Sequence, residues 1–442
     1  MLKTLCSKIL FLLLFSGILL SCNKKEFLEE KPNTDLIVPA TLEDFRALLD
    51  NDRIMSETPA LGELSADNYY LIESYWNTLN PKEKNAYTWE KDIYNNQTNV
   101  GDWNESYKQI FYANVVIKHL GEMKGPGKDS REGLDLFGTS YFLRAYAYHN
   151  LAQVFAPVYD PNISVVDNAL GLPIRNSPNI NENPGRATVK QTYDTIIHNL
   201  HLALVLLQDN APTSYLNRPS RSTANALMAR VYLSMGNYDS ALIYADRCLS
   251  IYSSLLNYNG IPNFSSNPEL LYQSKLLSTT NVLKAFVVPA CIVDSTLYRS
   301  YAINDLRRNL YFTGNPAAPN LKIGYSGSIF MFSGLAIDEV YLIKAESLIR
   351  TGNYTEGMNV LNMLLQNRYD FTSFVPLTAI NAEDALDKIL SERRKELVFR
   401  GLRWSDIKRF NKDGAGITLT RKLGIKTYEL PPNPIWRSKS VV

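Results

Sequence analysis

The sequence predicts a mainly all-α protein, a scaffold of paired helices that carries long irregular insertions. Apolar residues recur at three- and four-residue spacing through several long segments, the period of a helix with one buried face. A helix-turn-helix pattern occurs twice, 116 residues apart, each time through Gly-Asn-Tyr. Between these segments lie stretches rich in Asn, Ser, Gly and Pro that keep no helical period.

Taken in order, the chain starts with Lys3 and Lys8, then an apolar run over residues 9–20 broken only by Ser16 and Gly17. That is the build of a secretory signal, and the run is too short for a permanent membrane span. It ends at Leu19-Leu20-Ser21-Cys22, which resembles the bacterial lipobox, so residues 1–21 are expected to be a lipoprotein signal peptide and Cys22 the lipidated residue. Residues 22–40 are polar, carry two prolines and read as a lipidated tether, with Phe27 and Leu28 able to dock on the body.

The helical body follows over residues 41–442. Thr41 is placed to cap a helix whose buried face is Leu42, Phe45, Leu48 and Leu49. Helical units are expected near residues 103–155, 193–207, 219–250 and 335–368, with Pro157 ending the helix over 139–155. The two repeats are "ARVYLSMGNYDSALIYADRCL" from Ala229 and "AESLIRTGNYTEGMNVLNMLL" from Ala345. In each, a glycine (Gly236, Gly352) can adopt the left-handed conformation that stops one helix before the next restarts. Small residues at Ala229 and Ala241, matched by Ala345 and Gly357, let the paired helices approach closely. The unit resembles a tetratricopeptide helix pair, and the 116-residue offset means that other material interrupts the array.

The insertions fall near residues 63–100, 157–192 and 252–334. Short extended pieces are expected at "GLPI", "KAFVVPACIV" and "SIFMF". Long irregular segments on a rigid scaffold are where binding surfaces usually sit. The last strongly patterned run, "SERRKELVFRGLRWSDIKRF", reads as a helix pair joined near Gly401. Its buried stripe is Leu397, Phe399, Leu402, Trp404 and Ile407, and its arginines pair with acids of neighbouring helices.

Composition narrows the chemistry. Removal of residues 1–21 leaves 44 basic and 44 acidic residues. A neutral chain without a basic block has no footprint for nucleic acid. Of four cysteines, Cys6 leaves with the signal and Cys22 takes lipid, so Cys248 and Cys291 are expected as buried free thiols. His198 and His201 are three apart on one helix but lack further ligands at metal spacing, so they read as surface or structural residues. No phosphate loop and no Gly-x-Ser-x-Gly elbow occurs, and no cofactor is expected. The adjacent acids Asp338-Glu339 and Glu383-Asp384 diverge by about 100 degrees on a helix, which suits a helix N-terminus better than two-carboxylate glycoside hydrolysis.

Several segments in order carry a resemblance that spans most of the chain: the lipobox with "FLEEKP", then "ELSADN", "WNESYKQIFYANVVI", "RAYAYHNLAQVFAPV", "YDTIIHNLHLALVLL", the two Gly-Asn-Tyr repeats and "ILSERRKELVFRGLRWSDIKRF". Together they are similar to the SusD/RagB family of outer-membrane lipoproteins of Bacteroidetes. Two departures are visible: Arg400 stands where an acid is common, and the tail "LPPNPIWRSKSVV" is a loose version of the family's Pro-rich terminus.

The resemblance implies a lipid-anchored, cell-surface, non-enzymatic nutrient binder on a tetratricopeptide-like scaffold. Such a protein captures a glycan and delivers it to a SusC-like TonB-dependent transporter; the alternatives are a peptide-binding lid of a peptide importer and an exported glycosidase. For a glycan ligand, the candidate contacts are Asn68, Tyr69, Tyr70, Tyr75 and Trp76 in the first insertion and Tyr298, Tyr301 and Tyr325 in the third. These are aromatic faces for sugar rings and an amide for hydroxyls.

Overall fold

Several of the helices begin where the sequence supplies a side-chain acceptor for the first free N–H groups. Thr41 and Asp44 form a capping box on Leu42–Leu49, and Thr188 and Gln191 form another on Val189–Leu206. Ser130 caps Arg131–Phe155 and Ser220 caps Arg221–Met235. These caps set boundaries that apolar spacing alone places late: the helix expected over 139–155 starts at Arg131, and the one expected over 193–207 starts at Val189. The computed structural model describes residues 39–161, 169–284 and 292–432, within a compact unit Ala40–Val442. The expected signal peptide, Cys22 with the expected tether up to residue 38, Cys291 and most of the C-terminal tail lie outside the described residues. Among the described residues, no helix is long and apolar enough to cross a membrane.

The helices stack in pairs. Gly101–Glu122 packs on Arg131–Phe155, which packs on Val189–Leu206; Arg221–Met235 packs on Tyr238–Ile251, and Ile337–Arg350 on Tyr354–Leu365. Tyr238–Ile251 also lies against Ile337–Arg350, so the two repeats are neighbours in space although 116 residues separate them in the chain. Ala382–Glu396 closes the stack on the second repeat.

Both turns use the expected glycine, with φ of +77° at Gly236 and +95° at Gly352. The following asparagine restarts the chain, since Asn237 accepts from the Ser240 N–H and Asn353 from the Glu356 N–H. Close approach is real at Gly357, where a Cβ would stand 2.6 Å from Ile349 Cγ1 and 2.9 Å from the Ala345 carbonyl oxygen.

Strands are short and tie the insertions together. Tyr69–Tyr70 pairs with Ile292–Val293, which pairs with Asn320–Leu321, itself paired with Phe312–Thr313, all antiparallel. The first and third insertions therefore share one small sheet. "GLPI" is partly extended, Leu170–Pro173 pairing with Arg186–Thr188. "KAFVVPACIV" yields the strand Ile292–Val293, with 285–291 outside the described residues. "SIFMF" makes only isolated bridges, Lys284 to Phe330 and Lys275 to Phe332. Near the end, Leu419–Leu423 and Lys426–Leu430 form a hairpin about Gly424.

The expected C-terminal helix pair is present as Ala382–Glu396 and Arg403–Lys412, joined through Gly401 at φ +74°, and the five apolar residues of its stripe are buried. Its arginines enter an ionic interior. Arg307 bonds Asp305 at 2.7 Å, Glu392 at 2.6 Å and Glu396 at 2.8 Å, while Arg368 bonds Glu396 at 2.7 Å and Glu269 at 2.6 Å. Arg400 holds Asp338 at 2.6 Å and Arg409 holds Glu346 at 2.5 Å. Buried charge is tolerated when it is paired with an opposite charge at hydrogen-bond distance, as each of these arginines is.

Candidate functional site

A surface cleft of about 560 Å³ forms where the first insertion meets the C-terminal hairpin. Its floor is made by the helix Pro81–Tyr87, started by Pro81 and capped by Asn80, whose side chain accepts from the Glu83 N–H. The chain then turns through Trp89, a non-glycine residue at φ +58°. That conformation is sparsely populated and persists where surroundings over-determine it. Here the Trp89 indole N–H donates to the Ser65 carbonyl at 3.0 Å, and the ring packs with Trp404, Ile407 and Leu419. Three of the four described non-glycine residues with positive φ lie in this loop: Trp89, Asn95 and Asn96.

Arg421 fastens the hairpin to this loop. Its guanidinium lies 4.4 Å from the Tyr87 ring, 5.1 Å from Tyr69 and 5.5 Å from Trp89, and donates to the Ala66 and Tyr69 carbonyls. The neighbouring strand thereby brings Tyr428 to the cleft that Trp76 also lines. Both rings are half-buried. Lys84 Nζ sits 5.5 Å from the Trp76 ring, and the indole N–H donates to the Lys84 carbonyl at 3.4 Å. Asn85, Glu90, Lys91 and Asp92 supply polar groups along the walls. A flat ring flanked by amides, carboxylates and amines can take the apolar face of a sugar and its hydroxyls together.

Of the eight predicted contact residues, Trp76 lines this cleft; Tyr70 and Tyr75 are half-buried elsewhere on the same insertion. The other five are interior residues. Asn68 donates to buried Glu63 at 2.8 Å, and the Tyr69 hydroxyl donates to the Leu64 carbonyl at 2.9 Å. The Tyr298 ring is 9% exposed and packs edge-on against Phe312. The Tyr301 hydroxyl donates to the Lys395 carbonyl at 2.8 Å. Tyr325 bonds Glu269 through its hydroxyl while Arg400 covers its ring at 4.1 Å. The hydroxyls of Tyr69, Tyr301 and Tyr325 are spent inside the fold, those of Tyr301 and Tyr325 on residues that sequence distance conceals. Sequence reasoning missed Tyr428 and Arg421, whose signal was the alternation of "LTRKLGIKTYEL" about a turn glycine.

A second cleft, of about 830 Å³, opens at the two Gly-Asn-Tyr turns. Tyr159 and Tyr238 line it, and the Tyr238 ring is covered by Arg350 at 4.7 Å and bonds Asp413 through its hydroxyl at 3.3 Å.

Among the described residues, Glu269, Asp338 and Glu396 place carboxylate oxygens within 4.8 Å of one another. They are no ready cation site, because Arg368, Arg400 and Arg307 already occupy them. Asp338 is pushed up to about 7, chiefly by desolvation. His198 and His201 are exposed, and Cys248 is a buried free thiol, as expected. Asp338 and Glu339 are consumed by Arg400 and Arg230, and Asp384 by Lys388 and the Ile380 N–H.

Comparison with known proteins agrees with this architecture. Residues 26–233 match a SusD-like family described as starch-binding and associating with the outer membrane, and residues 337–430 match the SusD family model. A SusD-like protein of Formosa agariphila is 38% identical over 79 residues, which span 17% of this chain and 16% of that relative. A SusD superfamily protein from Bacteroides thetaiotaomicron superposes with a TM-score of 0.68 at 20% identity, covering 89% of this chain and 95% of the other. A SusD-like carbohydrate binding protein from Bacteroides vulgatus superposes at 0.65 with 17% identity, covering 89% of each chain. The chain belongs to the SusD/RagB family.

Proposed function

We propose that the protein is a cell-surface glycan-binding lipoprotein. It captures an oligosaccharide or polysaccharide and passes it to a SusC-like TonB-dependent transporter, held at the outer membrane by lipid on Cys22. The observation that carries the ligand class is a cleft lined by Trp76, Tyr428 and several polar side chains, on a chain whose family is described by starch binding. Binding rather than catalysis is the reading, because the clustered acids of the interior are consumed by arginines.

Isothermal titration of the purified chain against a panel of polysaccharides, oligosaccharides and peptide digests tests this. The expected result is saturable binding of one glycan class, weakened about tenfold or more by Trp76→Ala. Binding to peptides alone would replace this reading with a peptide-importing lid. Release of free sugar from a bound glycan would replace it with a glycosidase.

A further inference from the structure

Away from the surface cleft, a narrow cavity of about 40 Å³ lies where the Arg131–Phe155 helix, the first repeat and the turn at Gly401 meet. Four arginines line it: Arg230, Arg393, Arg400 and Arg409. His149, Gln153, Ser405 and the carboxylate of Asp406 add to the polar wall, and Leu276 and Leu402 contribute apolar surface. Arg393, Arg400 and His149 are each at most 3% exposed. Yet Arg393 Nη1, Arg400 Nε, Arg400 Nη2 and His149 Nδ1 have no hydrogen-bond partner within the protein.

All four of these atoms are donors. Arginine has no acceptor. The His149 Nε2 atom lies 3.1 Å from the Gln153 amide nitrogen, whose orientation is set by Ser405 Oγ donating to Gln153 Oε1 at 2.8 Å. Nε2 therefore accepts, and the proton of this neutral imidazole sits on Nδ1. Buried donors left without acceptors are costly, so the site calls for a species that accepts without bringing hydrogens of its own.

The charges around the cavity are matched, so it is the free donors that mark the site. Asp406 serves both Arg393 at 3.0 Å and Arg409 at 2.9 Å, and Glu346 serves both Arg409 at 2.5 Å and Arg350 at 2.9 Å. Arg230 pairs with Glu339 and Arg400 with Asp338, while Asp413 reaches Arg350 only at 3.8 Å. The four guanidinium groups that line the cavity thus share four close carboxylates, and Arg350 stands outside its lining. The volume admits one small ion with a water or two, since a water needs about 10–15 Å³ by the same measure.

We propose that this cavity binds one monovalent inorganic anion of the halide class, held by the free donors of Arg393, Arg400 and His149. The ion joins the Gly401 turn to the Arg131–Phe155 helix and acts as a structural ligand, independent of whatever the surface cleft takes.

The test is thermal unfolding of the purified chain at fixed ionic strength, with chloride exchanged for the bulkier methanesulfonate, together with anomalous diffraction from crystals grown in bromide. A saturable rise of Tm with chloride, as expected for a ligand of the native state, and a bromide peak against Arg393 and Arg400 would support the site. Arg393→Lys keeps a cation beside Asp406 but deletes Nη1, and should weaken halide affinity about tenfold, the worth of one charge-assisted hydrogen bond. A Tm indifferent to chloride, or bromide peaks found only elsewhere with water in the cavity, would overturn the proposal. Should Arg393→Lys fail to fold, the bromide map of the unaltered protein decides by itself.

Discussion

The interior around Glu396 and the cleft around Trp76 are made from the same residue types, aromatic rings beside charged side chains, and they serve opposite ends. Around Glu396, Tyr301 lies 5.8 Å from the Arg307 guanidinium and Tyr258 lies 4.2 Å from that of Arg368, with every carboxylate claimed. Around Trp76 the ring is half-buried, and exposed Glu90 and Lys91 line the same cleft. Chemistry by residue type is thus the same in both places; what separates a structural cluster from a ligand surface is whether the polar groups are already spent.

The sharpest way to break that contrast is to remove one partner from the interior. Glu396→Ala leaves Arg307 and Arg368 each short of a buried bond of 2.8 Å and 2.7 Å. Uncompensated buried charge costs about 3–5 kcal/mol. Urea unfolding should show a loss of that order or an unfolded chain, whereas an equivalent truncation at exposed Glu90 should change stability by less than about 0.5 kcal/mol.

A second interior carboxylate gives a pH-dependent version. Glu63 is fully buried and accepts from Asn68 and from the Gly401 N–H at 2.9 Å. Desolvation pushes it up from 4.5 to about 7. Because the folded value lies above the unfolded one, the native state holds the proton more tightly. The stabilisation is complete below about pH 4.5 and is lost as pH rises through 7. The advantage of the natural protein over Glu63→Gln in unfolding free energy should therefore shrink between those values, by about 1–3 kcal/mol. A difference that stays flat with pH would mean that Glu63 is ionised throughout.

The sequence made the scaffold readable and the site largely unreadable, for one physical reason. Helices reveal themselves by local period and local caps: Thr41, Pro157 and the two turn glycines act within a few residues of where they stand. The same locality explains why the Gly401 helix pair and its buried stripe could be anticipated. The ligand surface depends instead on which tyrosines find partners, and those partners are distant. Tyr325 meets Glu269 56 residues away, and Tyr301 meets Lys395 94 residues away. An Asn- and Tyr-rich insertion looks the same whether its rings face water or a carboxylate. Arg421, 352 residues from Tyr69, shows the converse, since nothing local announces that a hairpin near the C-terminus will supply a wall of the cleft.

The smallest predicted effects sharpen the comparison most, because they separate binding from stability. Trp76→Ala removes a half-buried ring and should weaken glycan binding about tenfold while leaving the unfolding midpoint nearly unchanged. Tyr301→Phe does the reverse. It deletes only the hydroxyl that donates to the Lys395 carbonyl at 2.8 Å, in a residue 1% exposed. A buried carbonyl left without its donor costs about 1–2 kcal/mol, read as a lower urea midpoint at unchanged slope, with titration against the same glycan giving the same Kd. If Tyr301→Phe instead weakened binding at unchanged stability, that hydroxyl would have to reach ligand. The division between spent and unspent polar groups would then fail at a residue where the structure draws it most clearly.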